Sequence, residues 1–192
     1  MNSFTKYVAS ALTLLLVYQP VSALEFNQVQ PDDHTVTFGF TIMGVPLEGN
    51  FKKLNTELSF DPANLTKAHA RFDIDAASID TGSNDGNKEV VEKLWFNVKA
   101  FPSCSFVSTG LKSLGGNRYQ ASGKLTIKGT TRDIVTPVTF QANGTHGTFD
   151  GAFSINRLDY AIGEGEWTDV STVANEVQIK FHVVVNASPT RK

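Results

Sequence analysis

The chain of 192 residues contains a single cysteine, Cys104, so no disulfide can form within it. It carries no large excess of either charge: 17 Lys and Arg stand against 19 Asp and Glu, a formal net charge of -2. That balance argues against nucleic acid or an anionic membrane surface as the main partner. The sequence has no Gly-x-Ser-x-Gly nucleophile motif and no phosphate loop. Its histidines, His34, His69, His146 and His182, do not stand at metal-ligand spacing with one another, with Cys104 or with a carboxylate. No apolar run reaches the roughly 20 residues that a membrane helix needs. Linkers, low-complexity tracts and internal repeats are also missing, which leaves one domain with a sizeable core.

One short apolar run, Tyr7 to Tyr18, follows Lys6 and precedes the small residues Val21-Ser22-Ala23. This is the pattern of a secretory signal peptide over residues 1–23, with cleavage expected near Ala23 and a domain over 24–192. Removing Lys6 takes the formal charge from -2 to -3. Cys104 shares strand parity with Phe106, so it reads as a small buried apolar side chain. The alternative is a reactive thiol or one that pairs with another chain.

The remaining chain alternates apolar and polar residues. Phe38, Phe40 and Ile42 alternate with Thr37, Gly39 and Thr41, and Leu125 and Ile127 with Lys124, Thr126 and Lys128. Val177, Ile179, Phe181 and Val183 alternate with Glu176, Gln178, Lys180 and His182. A period of two means strands with one apolar face. Such strands are expected over residues 34–42, 45–54, 56–60, 67–77, 103–111, 118–128, 131–142, 146–156 and 175–185, with a short piece near 159–162. The expectation is an all-β, up-and-down antiparallel barrel.

Residues 87–98 break the pattern. Val90, Val91, Leu94, Trp95 and Val98 recur at helical spacing, and Lys88–Glu92 and Glu89–Lys93 are opposite charges four apart. One amphipathic helix is predicted there, covering an opening of the barrel.

The apolar face mixes Gly49, Ala68, Ala70, Ala76, Ala121, Gly123 and Gly151 with large residues. A small barrel is either filled by its side chains or holds one ligand. Alternation leaves both open. The stretch from Arg157 to Trp167 reads as an Arg157–Asp159 pair pinning a strand end, with Tyr160 or Trp167 at the mouth. Glu164, Glu166 and Asp169 read as a solvated loop, with an acid–base role as the enzymatic alternative.

Four segments in order resemble the YceI-like family of exported bacterial, lipocalin-like proteins associated with polyisoprenoid binding. They are Ile74-Asp75-Ala76-Ala77-Ser78-Ile79-Asp80-Thr81-Gly82, Trp95-Phe96-Asn97-Val98-Lys99-Ala100-Phe101-Pro102, the run from Gly123 through Thr131, and Arg157-Leu158-Asp159-Tyr160-Ala161-Ile162-Gly163. The resemblance implies an extended eight-stranded antiparallel barrel whose interior takes an isoprenoid tail, with no catalysis and no cofactor other than that lipid. The tunnel is expected along Phe38, Phe40, Ile42, Phe72, Ile74, Trp95, Phe96, Phe106, Leu125, Ile127, Phe153 and Ile155. Expected partners are an isoprenoid lipid or quinone and, from a likeness of the segment 163–177 to one subgroup, a membrane cytochrome b561-type protein; a homodimer is a further option. An interaction module docking on a membrane redox protein is the alternative. The chain departs from the family pattern at Ile42, where many relatives carry His, and at Gly86-Asn87-Lys88-Glu89, where they carry an Arg-Asp-x-His run.

Overall fold

The computed structural model describes residues 24–189; the expected signal peptide lies outside the described residues. The strands are β1 (Leu24–Ile42), β2 (Val45–Phe51), β3 (Leu54–Ser59), β4 (His69–Asp75), β5 (Ile79–Asp80), β6 (Ser103–Gly115), β7 (Arg118–Ile127), β8 (Thr130–Asn143), β9 (His146–Asn156) and β10 (Glu176–Pro189), with one helix, α1 (Asn84–Val90). All pair antiparallel in one sheet, in the order β3-β4-β6-β7-β8-β9-β10-β1-β2-β5.

The sheet curls because one face is apolar along nearly every strand and must turn away from water. β1 makes closure possible. It pairs with β10 from Leu24 to Gly39, with a register break between Val29 and His34, but with β2 only over Thr37–Ile42. Its first half therefore offers a free edge. There the Phe26 N–H donates to the Phe60 carbonyl at 2.8 Å, and the Phe60 N–H returns to the Phe26 carbonyl at 3.0 Å. This single bridge brings the β3 end of the sheet round to β1.

The all-β fold with one helix is as expected, with ten strands rather than eight. The separate strands expected over 45–54 and 56–60 are β2 and β3, and the two-residue β5 is the one that alternation did not mark. The helix is shorter and earlier than predicted. Ser83 caps it, its hydroxyl accepting from the Gly86 N–H at 3.4 Å. After Val90 the chain makes separate turns: Trp95 N–H to Glu92, Phe96 N–H to Val90 and Val98 N–H to Val91, with Asn97 left-handed at φ 48°. The adjacent β-branched Val90 and Val91 are poor helix formers. Trp95 is nonetheless buried, and Val90, Phe96 and Val98 still pack on the core, while Leu94 is exposed. The spacing identified most of the inward residues but not the backbone that delivers them. The segment expected as a strand near 159–162 begins instead in a 3-10 turn, Arg157–Tyr160, which stops at left-handed Ala161 (φ 55°).

Two dense clusters sit at opposite ends of the curled sheet. One joins Phe26, Phe60, Tyr119, Val138, Phe140, Phe149, Val183 and Val185. The Phe60 ring meets Phe140, Phe149 and Tyr119 edge-on, at centroid distances of 4.7, 5.1 and 5.4 Å. The other joins Ala76, Trp95, Cys104, Leu125, Ile127, Ile155, Tyr160, Ile162 and Val173.

Phe60 thus carries both the closing bridge and the centre of an aromatic cluster. Phe60→Ala should cost about 3–5 kcal/mol, read as a lowered midpoint in denaturant unfolding. A loss below about 1 kcal/mol would show that closure does not depend on this ring.

Candidate functional site

Between the two clusters lies a cavity of about 730 Å³. Phe38, Phe40 and Ile42 of β1 reach it, as do Phe72 and Ile74 of β4, Phe106 of β6, Leu125 and Ile127 of β7, and Phe153 and Ile155 of β9. Trp95 and Phe96 reach it from the turns after α1, and Trp167 from the loop before β10. Every residue expected along the tunnel therefore borders this space.

A comparison within one residue type shows that the space is open. Phe26, Phe60, Phe140 and Phe149 are 2–6 % exposed in their cluster. Phe38, Phe40, Phe72, Phe106, Phe153 and Phe181 point to the same concave side, yet each keeps accessible surface. A filled core would have covered both sets.

The inward glycines Gly49, Gly123 and Gly151 make room for aromatic rings rather than for a ligand. A Cβ at Gly49 would fall on the Phe38 ring, one at Gly123 on Phe106 and one at Gly151 on Phe181. Each ring tip lies over a glycine of the adjacent strand, so the ring is held against the wall. Ala68, Ala70 and Ala121 do border the cavity, whereas Ala76 is fully buried in the second cluster.

Sequence reasoning missed several lining residues, among them Leu47, Phe51, Leu58, Val177, Ile179 and Phe181. The last three follow the same alternation and were legible from it. Phe51 shares strand parity with Gly49 and was legible in the same way; its ring also meets that of Phe96, at 6.1 Å between centroids.

Tyr160 does not stand at the mouth. It is 1 % exposed inside the second cluster, and burial pushes its hydroxyl pKa up. Nor does Arg157 pair with Asp159, which instead faces Arg132 at 3.8 Å on the surface. Arg157 is 2 % exposed, and backbone carbonyls take its guanidinium donors. Nε donates to Ala174 at 3.0 Å, Nη1 to Ile162 at 2.8 Å and Gly163 at 3.2 Å, and Nη2 to Trp167 at 2.6 Å and Val173 at 2.8 Å. Its charge also lies 5.7 Å from the centre of the Trp95 ring. Only the planar fork of an arginine reaches so many acceptors at once. Gly163 is required here, since its φ is 78° and a side chain would strike Nη1. The loop so gathered sets Trp167 against Trp95, with 5.3 Å between ring centroids.

Polar groups border the cavity beside α1, at Thr81, Ser83, Asp85 and Glu89, and on the strands, at Ser59, His69, Ser108 and Thr136. Glu89 accepts from Trp95 Nε1 at 3.2 Å. Lys52 (2.6 Å), Asn87 and the Gly82 N–H surround the Asp80 carboxylate and hold its pKa far below the usual range, which ties α1 to β5. Among the described residues, no three His, Cys, Asp or Glu side chains gather as a metal site.

The fold and site define a β-sheet container with an apolar lumen. The chain belongs to the YceI-like domain family, whose profile matches residues 28–185. It is 44 % identical to BcnA of Burkholderia cenocepacia, with a TM-score of 0.79 over 82 % of this chain and 99 % of that one. It shares the fold of a polyisoprenoid binding domain from Saccharophagus degradans implicated in plant cell wall breakdown, at 16 % identity and TM-score 0.65 over 86 % and 99 % of the two chains. A UPF0312 protein of Pseudomonas fluorescens is 29 % identical over 144 residues, covering 69 % of this chain and 71 % of that protein.

Two measurements test this account of the site. Arg157→Lys offers fewer donors from a single point and strands buried carbonyls, so stability should fall by about 3 kcal/mol or more; equal stability would mean that the carbonyls find other partners. Burial pushes the Cys104 thiol up to about 12, so a charged thiol reagent at pH 8 should label it only after unfolding. Rapid labelling of the native protein would identify a reactive thiol instead.

Proposed function

We propose that this chain is a non-catalytic binding protein that takes the apolar tail of an amphipathic isoprenoid lipid, of quinone or polyprenyl type, into its cavity. It would store or carry that lipid in the periplasm. The observation that carries the reading is the cavity, a space of about 730 Å³ walled by phenylalanines that keep accessible surface. The volume lies within the about 300–1,000 Å³ common for small-molecule sites. Each methylene moved from water into such a wall contributes about 0.8 kcal/mol. The Saccharophagus degradans structure that shares the fold is of a polyisoprenoid binding domain, which supports this ligand class. Export rests on the sequence pattern of residues 1–23.

A cytochrome b561-type membrane protein fits the reading as a partner that exchanges a quinone with the cavity. The observation behind it is the exposed acidic loop, with Glu164, Glu166 and Asp169 flanking the cavity-lining Trp167.

Mass spectrometry of lipid extracted from the purified protein should find an isoprenoid. Ala70→Trp, which places an indole in the lumen, should weaken uptake of a polyprenol or quinone by on the order of tenfold while the protein still unfolds cooperatively. A lipid-free protein that takes up neither compound would overturn the reading, as would full uptake by the variant.

A further inference from the structure

We propose that the tip of the β1–β2 hairpin docks on the surface of a lipid bilayer and loads the cavity from it. This rests on the binding function proposed above. The register pairs Phe38 with Gly49, Phe40 with Leu47 and Ile42 with Val45, so these residues share the concave face. Exposure rises along them toward the tip: Phe40 is half-buried, while Ile42 is 36 %, Leu47 42 % and Val45 56 % exposed. Met43, in the turn, reaches 75 %. The hairpin runs past the cover of the barrel with its inner face bare. Ile42 and Leu47 line the cavity and face solvent at once. An apolar path therefore leads from the outer tip to the lumen.

The rest of the tip suits lipid. No residue from Thr37 to Leu47 is charged. The tip is also held in place, as Met43 N–H donates to the Thr172 carbonyl and Ala174 N–H to the Thr41 carbonyl, each at 2.9 Å. Those bonds bring Val170, itself 54 % exposed, to the same end of the molecule. A few apolar side chains on a narrow tip fall well short of the about 20–30 residues a side of a stable protein interface, but are enough to enter the headgroup boundary of a membrane. The occupant must also be able to supply a water-insoluble tail at the point where the path begins. A bilayer does both, and an uncharged tip has no need of anionic lipid.

Phosphatidylcholine vesicles carrying radiolabelled geranylgeraniol test the proposal, beside the same alcohol delivered from ethanol without vesicles. Met43→Glu and Val45→Glu alter exposed residues that do not line the cavity. Each should slow loading from vesicles, and reduce co-sedimentation with them, by on the order of tenfold, with loading from ethanol unchanged. Zwitterionic lipid keeps charge repulsion out of the comparison. If the unaltered protein loads from ethanol and both variants load from vesicles as fast as it does, the docking surface is overturned. It is equally overturned if sedimentation velocity shows that the variants only turn a dimer into monomers, with vesicle loading unchanged. Failure of the unaltered protein to load from either source would instead overturn the binding function beneath it.

Discussion

The cavity depends on phenylalanine rings resting on glycines. An apolar concave face of this size gains by collapsing on itself, and a phenylalanine free to turn would reach across the lumen and fill it. Phe38, Phe106 and Phe181 are instead laid over Gly49, Gly123 and Gly151, where any side chain would displace them. The same contact serves two ends. It covers the backbone at a position without a side chain, and it turns a large residue into wall rather than filling. The aromatic cluster around Phe60 shows the contrasting outcome, with rings packed edge to face and almost no surface left.

A hollow sheet gives up packing in its middle and needs firm ends. At one end the aromatics supply it. At the other, a buried charge does: Arg157 draws carbonyls from residues 162 to 174 onto one guanidinium, and no carboxylate takes part. Replacing an ion pair by backbone dipoles leaves little of the chemistry to pH, since neither arginine nor carbonyl titrates in the ordinary range. Lys128 adds a second tie, from the β7–β8 turn to the Ala161 carbonyl and to Glu164, each at 2.7 Å.

Much of this was legible in the sequence, for a simple reason. Strand parity is a local property, and a residue's side of the sheet follows from its neighbours alone. Parity therefore found Phe38, Phe72, Phe106 and Phe153, and the family resemblance pointed to the same face. Parity could not say whether the rings meet, because that depends on which strand lies beside which glycine. It also could not place Tyr160, whose burial follows from a 3-10 turn rather than a strand, or free Arg157 from Asp159, whose nearness in sequence suggested a pair. The one helix is present but ends early: beyond Val90, separate turns present Trp95 and Val98 inward at nearly the spacing of a continuous helix.

The two tryptophans of the chain, Trp95 and Trp167, stand together where the Arg157 loop meets the turns after α1, and both border the cavity. The protein's whole indole fluorescence thus comes from one spot at the edge of the lumen. With no tryptophan in the sheet to add background, the emission is a built-in optical reporter of that spot, sensitive to whatever enters beside it and largely blind to changes elsewhere.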